Sequence, residues 1–528
     1  MIGNEQGARV VSLQRPIPET TTPRDKIRTI EELAAITHQL RSAGQSVVQA
    51  HGTFDLLHLG HVRHLEAARR LGDVLVVTVT ADGFVNKGPG RPVFTEWLRA
   101  EMLATLAYVD WVAINPSPDA VSAIELIRPQ FYVKGQDYEN PQGDITGKIT
   151  AEREAVEKHG GHLRFTDEVT YSSSALINRY LNVFEPHVQQ HLATLRTNGG
   201  LEQILAAIDR IGDYRVLLVG DAIIDEYQYV LPMAKSPKEN MIATRYQDRE
   251  LFAGGVFAAA NHLASFCREI DVVTSLGAQN SFEDFVRSAL HPNIRLHNVM
   301  RPGAPTTRKR RFVDPSYMRK LFEVYFMDDE PLSRELQRRV DTTIAELAPQ
   351  ADVVIVTDFG HGLLAPSSID TLTETAPFLA VNTQSNSANL GYNLITKYAK
   401  ADYVCIDAPE ARLATSDRVS NIGDIAHRVQ ERVDCPNIII THGKHGCVTY
   451  QRGGIVHTIP AFAGNVVDTV GAGDAFLSIT APLVAAGAPA HQVGFVGNVV
   501  GALKVEIVGH RRSVDKPSLV KAITGLLK

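Results

Sequence analysis

Cysteine is scarce in this chain. Its 528 residues include four cysteines, and no two of them form a C-x-x-C pair. This scarcity excludes a disulfide scaffold and a zinc ribbon, and it favours a reducing compartment with core thiols. Long hydrophobic runs are lacking too, since the longest weakly polar stretch, residues 476–490, contains two prolines and is shorter than the roughly 18 residues of a membrane span. We therefore expect a cytoplasmic protein without a membrane partner.

An excess of positive charge is also missing. Lys and Arg total 53 against 59 Asp and Glu, a formal net charge of -6, which gives no reason to expect a nucleic-acid partner. With 44% hydrophobic and 21% charged residues, the composition is that of a folded globular protein. A chain of this length exceeds what one hydrophobic core usually organises, so we expect two large domains.

Two series of strand and helix patterns divide the chain. Residues 1–25 mix Pro, Thr and charge without periodicity and are predicted to form a flexible tail. In residues 26–181, apolar runs such as SVVQA and VLVVTVTA alternate with helical patterns, which indicates an α/β domain with a parallel sheet. Residues 182–212 carry no strand pattern and are predicted to be a linker. A second α/β series fills residues 213–528, and alternating segments in its middle predict a small antiparallel β flap.

The first motif is HGTFDLLHLGH at residues 51–61, between a predicted strand and a predicted helix. A helix start offers free N–H groups and a partial positive charge to phosphate, and Gly60 lets the backbone come close. His58 and His61 can face the same triphosphate and stabilise charge on the attacked α-phosphate. The alternative is that His51, His64 and these two histidines bind zinc or lie on the surface. The glycine, and the lack of a nearby cysteine, favour phosphate.

This segment resembles the H-x-G-H nucleotidyltransferases, in particular the cytidylyltransferase-like domain of bifunctional ADP-heptose synthesis enzymes. The resemblance runs from about Val47 to Leu181. It includes KGPGRP at residues 87–92, Arg99, VDW at 109–111, KGQDY at 134–138 and YSSS at 171–174. It implies a Rossmann-like nucleotidyltransferase that uses ATP or CTP.

The resemblance also implies roles for individual residues. The catalytic residues would be His58, His61 and Lys87, with Lys87 and Arg91 reaching the phosphates of the two substrates. The nucleotide would be bound by Thr53, Phe54, His58, His61, Arg91, Ser172, Ser173 and Ser174. For the three serines the alternative is an ordinary helix N-cap.

The second motif is DTVGAGD at residues 468–474, a glycine turn directly before an apolar helical stretch. The amides of residues 471–474 can form an anion hole for a transferring γ-phosphoryl group, and Asp474 can accept the proton of the attacking hydroxyl. The alternative is a dinucleotide-binding fingerprint. That fingerprint needs a third glycine where Phe476 stands, and it belongs at the start of a domain.

This motif resembles the signature of the ribokinase (PfkB) family, and the resemblance covers roughly Tyr214 to the C-terminus. It implies a ribokinase-like α/β domain with a β flap, ATP and Mg²⁺ as cofactors, and Asp474 as catalytic base. The nucleotide would be bound by Thr441, Gly443, Gly446, Gly471, Ala472 and Gly473. The sugar would be bound by Asp221, Asp225, Gly254, Gly255 and Asn261. For the two aspartates the alternative is a turn and a helix cap.

Within that family the chain resembles the heptose-phosphate kinase half of the same bifunctional enzymes, as SPKE at residues 236–239 and PTTRKRR at 305–311 suggest. Lys309 and Arg311 in the basic run would suit a substrate that already carries a phosphate. The alternative is a solvated strand face. Glu410, in the position of the glutamate of the family's N-x-x-E motif, would bind Mg²⁺.

The chain departs from the family pattern at three places. NTQ at residues 382–384 stands for D-P-K, His361 for the lysine of D-Y-x-K-G, and Asp407 for the asparagine of N-x-x-E. The domain order is also inverted, because the kinase comes first in those bifunctional enzymes. These departures make the reaction class a stronger expectation than the substrate.

We expect ATP-dependent phosphorylation of a heptose phosphate-like sugar, and nucleotidyl transfer to the sugar 1-phosphate that gives a nucleotide sugar of the ADP-heptose type and pyrophosphate. One alternative is a cytidylyltransferase–kinase fusion that uses CTP and a different sugar or polyol phosphate. Another is a kinase domain that binds sugar without turnover. The family likeness also predicts a homodimer through the kinase flap.

Overall fold

A computed structural model describes residues 22–85, 87–136, 148–166, 184–235 and 238–528. Contacts within the chain group it into two compact units, Met1–Val85 with Pro92–Ser173 and Asn86–Arg91 with Ser174–Lys528. Each unit has its own largely parallel sheet, so the predicted pair of α/β folds is confirmed. Over the described ranges, none of the helices combines the length and apolar character needed to cross a bilayer.

The first unit is a five-stranded, all-parallel sheet in the order β3-β2-β1-β4-β5. Its strands are β1 (Val47–Gly52), β2 (Val74–Thr80), β3 (Trp111–Asn115), β4 (Phe131–Gly135) and β5 (His162–Thr166), and its helices are α1 (Ile30–Ser42), α2 (Leu59–Arg69), α3 (Glu96–Ala104), α4 (Val121–Ile127) and α5 (Lys148–Glu157). The sheet grows outward from β1 first through β2 and then through β4. The carboxyl end of β1 is therefore the switch point at which open α/β sheets bind ligands.

Local sequence explains these elements. The run VLVVTVT of β2 is buried along its whole length, as expected for a strand covered on both faces. Helix α1 begins at a capping box, in which the Thr29 hydroxyl accepts from the Glu32 amide and the Glu32 carboxylate accepts from the Thr29 amide.

The second unit contains a nine-stranded sheet in the order β10-β9-β6-β13-β14-β15-β16-β17-β18, parallel as far as β16 and antiparallel beyond it. Its strands are β6 (Arg215–Gly220), β9 (Glu269–Gln279), β10 (Ile294–Pro305), β13 (Val353–Asp358), β14 (Leu379–Thr383), β15 (Tyr403–Asp407), β16 (Asn437–Thr441), β17 (Cys447–Gln451) and β18 (Ile455–Ile459). Its helices are α6 (Pro186–Thr197), α7 (Gly200–Arg210), α8 (Val256–Leu263), α9 (Glu283–Ala289), α10 (Arg334–Leu347), α11 (Pro366–Thr375), α12 (Ala408–Thr415), α13 (Ile422–Arg432), α14 (Ala472–Ala485), α15 (Ala490–Lys504) and α16 (Lys516–Leu527).

A separate four-stranded sheet forms the flap, in the order β12-β11-β7-β8. It consists of β7 (Ala222–Lys235), β8 (Ile242–Gly255), β11 (Arg308–Asp314) and β12 (Arg319–Phe326). The sequence predicts an antiparallel flap, and that detail is wrong at one seam, because β11 pairs with β7 in parallel. The other two seams are antiparallel.

The segment predicted to be a linker, residues 182–212, contains α6 and α7, and both pack on the second unit. Val188, Leu192 and Ile208 are buried in its largest core cluster. Arg196 of α6 donates a hydrogen bond to the Leu526 carbonyl at 2.6 Å. The structure thus places these helices inside the second unit rather than between units, because each has one apolar face that the core buries.

The four cysteines are free and buried, as expected for core thiols. Cys267, Cys405 and Cys447 lie in the same core cluster as the apolar helices α14 and α15. Gly497 lets these two helices approach closely, since a β-carbon at this position would lie 2.3 Å from the Phe476 ring.

We expect Gly497→Ala to destabilise the second unit by about 1–3 kcal/mol, because the added methyl overpacks the α14–α15 contact. Gly501→Ala is the matched control on the same helix. A β-carbon there would meet no atom within 4 Å, so better helix propensity should leave stability unchanged or raise it by up to about 1 kcal/mol. Denaturant unfolding measures both, and equal effects of the two variants would contradict the packing argument.

Candidate functional site

The first motif lies at the carboxyl end of β1 and continues into α2. His51 is in the strand, His58 is the N-cap residue of α2, and His61 lies in its first turn. The His58 and His61 rings stack with their centroids 3.9 Å apart, and the Phe54 ring meets His61 edge-on at 5.2 Å. The structure therefore brings together three of the residues predicted to bind the nucleotide.

The turn between β1 and α2 has an unusual backbone. Phe54 has a φ of 51°, a left-handed conformation that is rare for a bulky residue and is found mainly where function requires it. Its side chain is buried. The turn thus directs the backbone at Thr53 and Phe54 toward the start of α2, where free N–H groups are available.

Buried polar side chains hold this turn in place. Arg99, which is fully buried, donates to the carbonyls of Thr53, Thr80 (2.8 Å) and Phe94 (2.9 Å), and to the Asp82 carboxylate at 2.6 Å. The buried Asp55 carboxylate accepts from the amides of residues 93 and 94 at 2.7 and 3.2 Å. Arg99 is therefore a structural support of the turn between β1 and α2.

The other two histidines of the motif region, His51 and His64, are neutral, and their rings contact threonine hydroxyls. The His51 ring lies 2.9 Å from the Thr78 hydroxyl and 3.3 Å from that of Thr80, and His64 lies 2.8 Å from the Thr166 hydroxyl. Burial lowers the pKa of His51 well below its usual value and that of His64 to about 4. Within the described ranges, no group of three or more His, Cys, Asp or Glu is arranged to hold a metal ion.

The remaining residues predicted for this site are not among the described residues of the first unit. Lys87 and Arg91 belong to the segment 86–91, which groups with the second unit. Ser172, Ser173 and Ser174 lie outside the described residues, as do Asp137 and Tyr138 of KGQDY and the first two residues of SPKE. Their proposed roles stay predictions.

The second unit contains a cavity of about 1210 Å³. Loops at the carboxyl ends of the sheet strands, the flap and the start of α14 all contribute to it. Among the predicted site residues, those that line it are Asp225, Gly255, Lys309, Arg311, Glu410, Thr441, Gly443, Gly446, Gly471, Ala472, Gly473 and Asp474. Residues predicted to bind the sugar, the nucleotide and the metal therefore surround one space.

Three predicted sugar-binding residues are outside the described lining of this cavity. The Asp221 carboxylate accepts from the amides of Phe359 (2.9 Å) and His361 (3.3 Å). Gly254 makes room for Asp225, because a β-carbon there would lie 2.1 Å from the Asp225 carboxylate. The Asn261 side chain donates to the Ala289 carbonyl and accepts from the His291 amide, both at 3.0 Å. Asn261 thus joins α8 to the C-terminal end of α9.

Asp474 lies in the first turn of α14, directly after the glycine turn. Gly471, the N-cap residue, has a φ of 75°, which only glycine adopts readily. Burial raises the pKa of Asp474 to about 6, against the opposing effect of His510. A carboxylate with such a pKa is ionised near neutral pH and can still accept a proton, as a general base requires.

His510 is a site residue that sequence reasoning missed. Its Nε2 lies 3.4 Å from the Asp225 carboxylate, and its ring leaves no room for a side chain at residue 471, since a β-carbon there would lie 2.3 Å from Cε1. It also lines the cavity. Burial alone would raise the pKa of Asp225, but Arg311 and His510 outweigh burial and hold it far below its usual value. The only sequence signal is a histidine just after the apolar helix α15.

The basic run of β11 is divided by the two-residue period of the strand. Arg308 and Arg310 contact the buried Glu226 carboxylate at 3.2 and 3.0 Å. Lys309 and Arg311 point to the opposite face and line the cavity, where Arg311 pairs with Asp225. The Lys309 ammonium lies over the rings of Tyr325 and Phe359 at 5.3 and 5.7 Å. The strand alternation thus separates Lys309 and Arg311, which face the cavity, from Arg308 and Arg310, which pair with Glu226.

A hydrogen-bond network of buried side chains holds the glycine turn in place. The buried Asp468 carboxylate accepts from the Tyr227 hydroxyl (2.6 Å), the Lys320 ammonium (2.5 Å) and the Gly509 amide (2.8 Å). The Lys504 ammonium donates to the carbonyls of Val470 and Gly509, both at 2.8 Å. The motif contains Asp468, whereas sequence reasoning missed Lys504, whose signal is a single charge at the end of an apolar helix.

The departures from the family pattern lie beside the cavity. Asn382 and Gln384 line it, and the Asn382 amide donates to the Cys405 carbonyl at 2.7 Å. His361 is 5% exposed, and neither ring nitrogen has a hydrogen-bond partner in the described structure. Burial, and then Lys309, lower the pKa of His361 to about 3. His361 is therefore neutral where the family pattern has a positive charge.

Glu410 and Asp407 offer a fit for Mg²⁺. Each carboxylate accepts from the other residue's amide at 3.1 and 2.8 Å in the capping box of α12, and Glu410 also accepts from the Ser385 amide at 2.9 Å. Burial, and next Asp407, raise the pKa of Glu410 to about 8. Two neighbouring carboxylates in a partly buried site are hard oxygen ligands that a divalent cation would stabilise in the charged form.

These features are those of a phosphoryl-transfer site in an α/β kinase fold. The family model described as "pfkB family carbohydrate kinase" matches residues 214–517, and that described as "Cytidylyltransferase-like" matches residues 50–179. The first match covers more than half of the chain, so this chain belongs to the pfkB family of carbohydrate kinases. The recognition of both families from the motifs is confirmed.

Curated relatives match over a limited length. "Bifunctional protein HldE" from Syntrophotalea carbinolica is 37% identical over 163 residues, 30% of this chain and 32% of the relative. The protein of the same name from Methylococcus capsulatus is 42% identical over 157 residues, 29% of this chain and 32% of the relative. The chain thus spans about a third of the length of these relatives.

Solved structures of similar fold cover the larger part of the chain. A putative ribokinase from Agrobacterium tumefaciens has a TM-score of 0.48 and 20% identity, over 60% of this chain and 99% of that one. Phosphofructokinase-2 from Escherichia coli, in complex with substrates and products, has a TM-score of 0.49 and 13% identity, over 60% of this chain and 100% of that one.

Proposed function

We propose that this chain activates a sugar phosphate in two reactions. The second unit phosphorylates a heptose phosphate-like sugar with ATP, and the first unit joins a nucleotide to a sugar 1-phosphate with release of pyrophosphate, which gives a nucleotide sugar of the ADP-heptose type. A separate phosphatase acts between the reactions if the substrate is a heptose 7-phosphate. The observation that carries the proposal is the convergence of Asp474, the glycine turn, Asp225 and two inward-facing cations on one cavity.

The kinase reaction follows from this arrangement. Asp474 accepts the proton of the sugar hydroxyl as the hydroxyl oxygen attacks the γ-phosphorus, the bond between this phosphorus and ADP breaks and ADP leaves, and the amides of residues 471–474 stabilise the negative charge of the transferring group. Asp225 accepts hydrogen bonds from sugar hydroxyls. Lys309 and Arg311 bind the phosphate that the sugar already carries. Mg²⁺, held by Glu410 and Asp407, would neutralise charge on the nucleotide phosphates.

The nucleotidyl transfer needs no covalent intermediate on the protein. His58 and His61, stacked at the start of α2, donate to the α-phosphate as the sugar 1-phosphate attacks it, and pyrophosphate leaves. The helix start adds its free N–H groups. Lys87, Arg91 and Ser172–Ser174 complete the phosphate contacts by resemblance. ATP is the proposed nucleotide, with CTP as the alternative.

Partners and location follow from the same family likeness. We propose a homodimer through the flap, which exposes the apolar side chains of Met233, Ile242, Tyr246 and Phe322 and would bury them in a symmetric interface. We propose a cytoplasmic location, which the free thiols support and where nucleoside triphosphates are available.

Asp474→Asn should lower kinase turnover by about 10²- to 10⁴-fold, because the base is lost, and leave nucleotidyl transfer unchanged. His58→Ala should do the reverse, lowering nucleotidyl transfer by about 10²- to 10³-fold. Mass spectrometry measures both activities through the products that the purified chain forms with ATP and Mg²⁺. The kinase is tested with D-glycero-D-manno-heptose 7-phosphate, and nucleotidyl transfer is tested with a heptose 1-phosphate. Circular dichroism and denaturant unfolding of each variant control for folding of the mutated unit. A near-normal rate in either variant would refute that residue's role, and no heptose bisphosphate from folded wild-type protein would refute the sugar.

The kinase rate should depend on pH through Asp474. The base must be ionised, and its raised pKa is about 6, so kcat should fall as the pH drops through about 6 and reach a plateau above it. A pH profile of kcat between pH 5 and 8 tests this, with nucleotidyl transfer on the same samples to control for unfolding. A flat kinase profile across this range would contradict Asp474 as the base.

The strand alternation of β11 predicts opposite results for neighbouring cations. Lys309→Met should raise the KM for the sugar phosphate about 10- to 100-fold, the value of a charge-assisted hydrogen bond. Arg310→Met should change it less than about twofold, because Arg310 faces Glu226 on the other side of the flap. Steady-state kinetics with the phosphorylated sugar separate the two. Equal effects of the two substitutions on KM would show that the basic run of β11 acts only through its overall positive charge.

A further inference from the structure

Lys504, the last residue of α15, is 0% exposed. It carries the one full charge of a helix whose sequence is AHQVGFVGNVVGALK. Its ammonium donates two hydrogen bonds of 2.8 Å, to the carbonyls of Val470 and Gly509. Because burying an ammonium is costly, a chain that retains one here gains something specific from it.

The charge is not consumed by a direct ion pair. Within the described residues, no carboxylate is recorded within 4 Å of the Lys504 ammonium, although Asp468, Asp474 and Asp225 act on it at longer range. Burial lowers the pKa of Lys504 to about 8, and these three carboxylates oppose that effect. The ammonium is therefore mostly charged at neutral pH, with two backbone carbonyls as its partners.

The two carbonyls belong to the two loops that form the catalytic side of the cavity. Val470 directly precedes Gly471, where the anion-hole turn begins. Gly509 directly precedes His510, which lies beside Asp225. The Asp468 carboxylate bonds the amides of these same two residues, Val470 at 3.1 Å and Gly509 at 2.8 Å. A carboxylate and an ammonium thus hold Val470 and Gly509 by all four of their backbone polar groups.

We propose that Lys504 is a positioning residue for phosphoryl transfer, whose buried ammonium fixes Val470 and Gly509 so that the amides of residues 471–474, Asp474 and His510 converge on the reacting group. The inference rests on the proposed kinase function. Lys504 is absent from the described lining of the cavity, so it acts through the backbone and not by contact with substrate. Preorganised amides are effective because they need no rearrangement during the reaction.

Three variants test the role. Lys504→Met keeps most of the side-chain volume and removes the charge, Lys504→Arg keeps the charge, and Lys504→Ala leaves space for a small cation. We expect Lys504→Met to lower kinase kcat about 100-fold, with the KM for the sugar phosphate within about threefold of wild type. Methylammonium should restore at least about tenfold of the rate lost in Lys504→Ala, and Lys504→Arg should retain more activity than Lys504→Met.

Controls separate positioning from loss of stability. All variants are compared at equal folded fraction of the second unit, judged by circular dichroism and denaturant unfolding. Leu503→Ala, at the neighbouring position of α15, weakens packing without removing a charge, and its kinase rate should not respond to methylammonium. A normal kcat in Lys504→Met, or a rate in Lys504→Ala that methylammonium fails to raise, would overturn the proposal.

A second measurement does not require turnover. Hydrogen exchange followed by mass spectrometry should show faster exchange in peptides covering residues 468–475 and 505–511 of Lys504→Met, with the rest of the second unit unchanged. If wild-type protein phosphorylates no sugar phosphate, the proposed function fails, yet the exchange experiment still tests Lys504. Unchanged exchange in these two peptides would overturn the positioning role by itself.

Discussion

The buried carboxylate of Asp468 is the interaction on which the catalytic side of the second unit depends. It accepts from Tyr227 of β7, Lys320 of β12 and the amides of Val470 and Gly509. A single side chain therefore joins the flap to the glycine turn and to the loop that carries His510. Full satisfaction of such a buried group makes the arrangement specific, because every alternative geometry leaves polar atoms without partners.

The charged side chains of the cavity are arranged around this hydrogen-bond network. Asp225 is held ionised by Arg311 and His510, while Asp474, one turn into α14, has its pKa raised by burial to about 6. Two carboxylates in one cavity thus have different tendencies to bind a proton, and the difference arises from their neighbours. The ionised one suits hydrogen bonding to hydroxyls, and the one with the raised pKa suits proton transfer.

The motifs identify the glycine turn and the helix start better than they identify the side chains that hold these segments in place. The glycine turn, the helix start at His58 and the alternating strands depend on local backbone geometry, which neighbouring residues encode, so their placement followed from the sequence. Lys504 reaches back to Val470, 34 positions earlier, and His510 lies beside Asp225, which is still more distant in the chain, and no local pattern marks such contacts. The sequence predicts a linker at residues 182–212 because amphipathic helices carry no strand pattern. The apolar faces of α6 and α7 nevertheless belong to the core of the second unit. Asn261 matches the family motif in sequence, and its side-chain amide hydrogen-bonds the backbone of Ala289 and His291.

The departures from the family pattern change where positive charge lies. Gln384 and the neutral His361 stand where the family pattern has lysines and Asn382 where it has an aspartate, whereas Lys309 and Arg311 remain on the flap. Arg311 is already paired with Asp225, whereas no carboxylate is recorded within 4 Å of the Lys309 ammonium among the described residues. Its ammonium lies against two aromatic faces and is largely buried, where a phosphate would exchange little water for a strong hydrogen bond. The positive charge that the flap brings to the cavity is thus carried by the two inward-facing residues of β11.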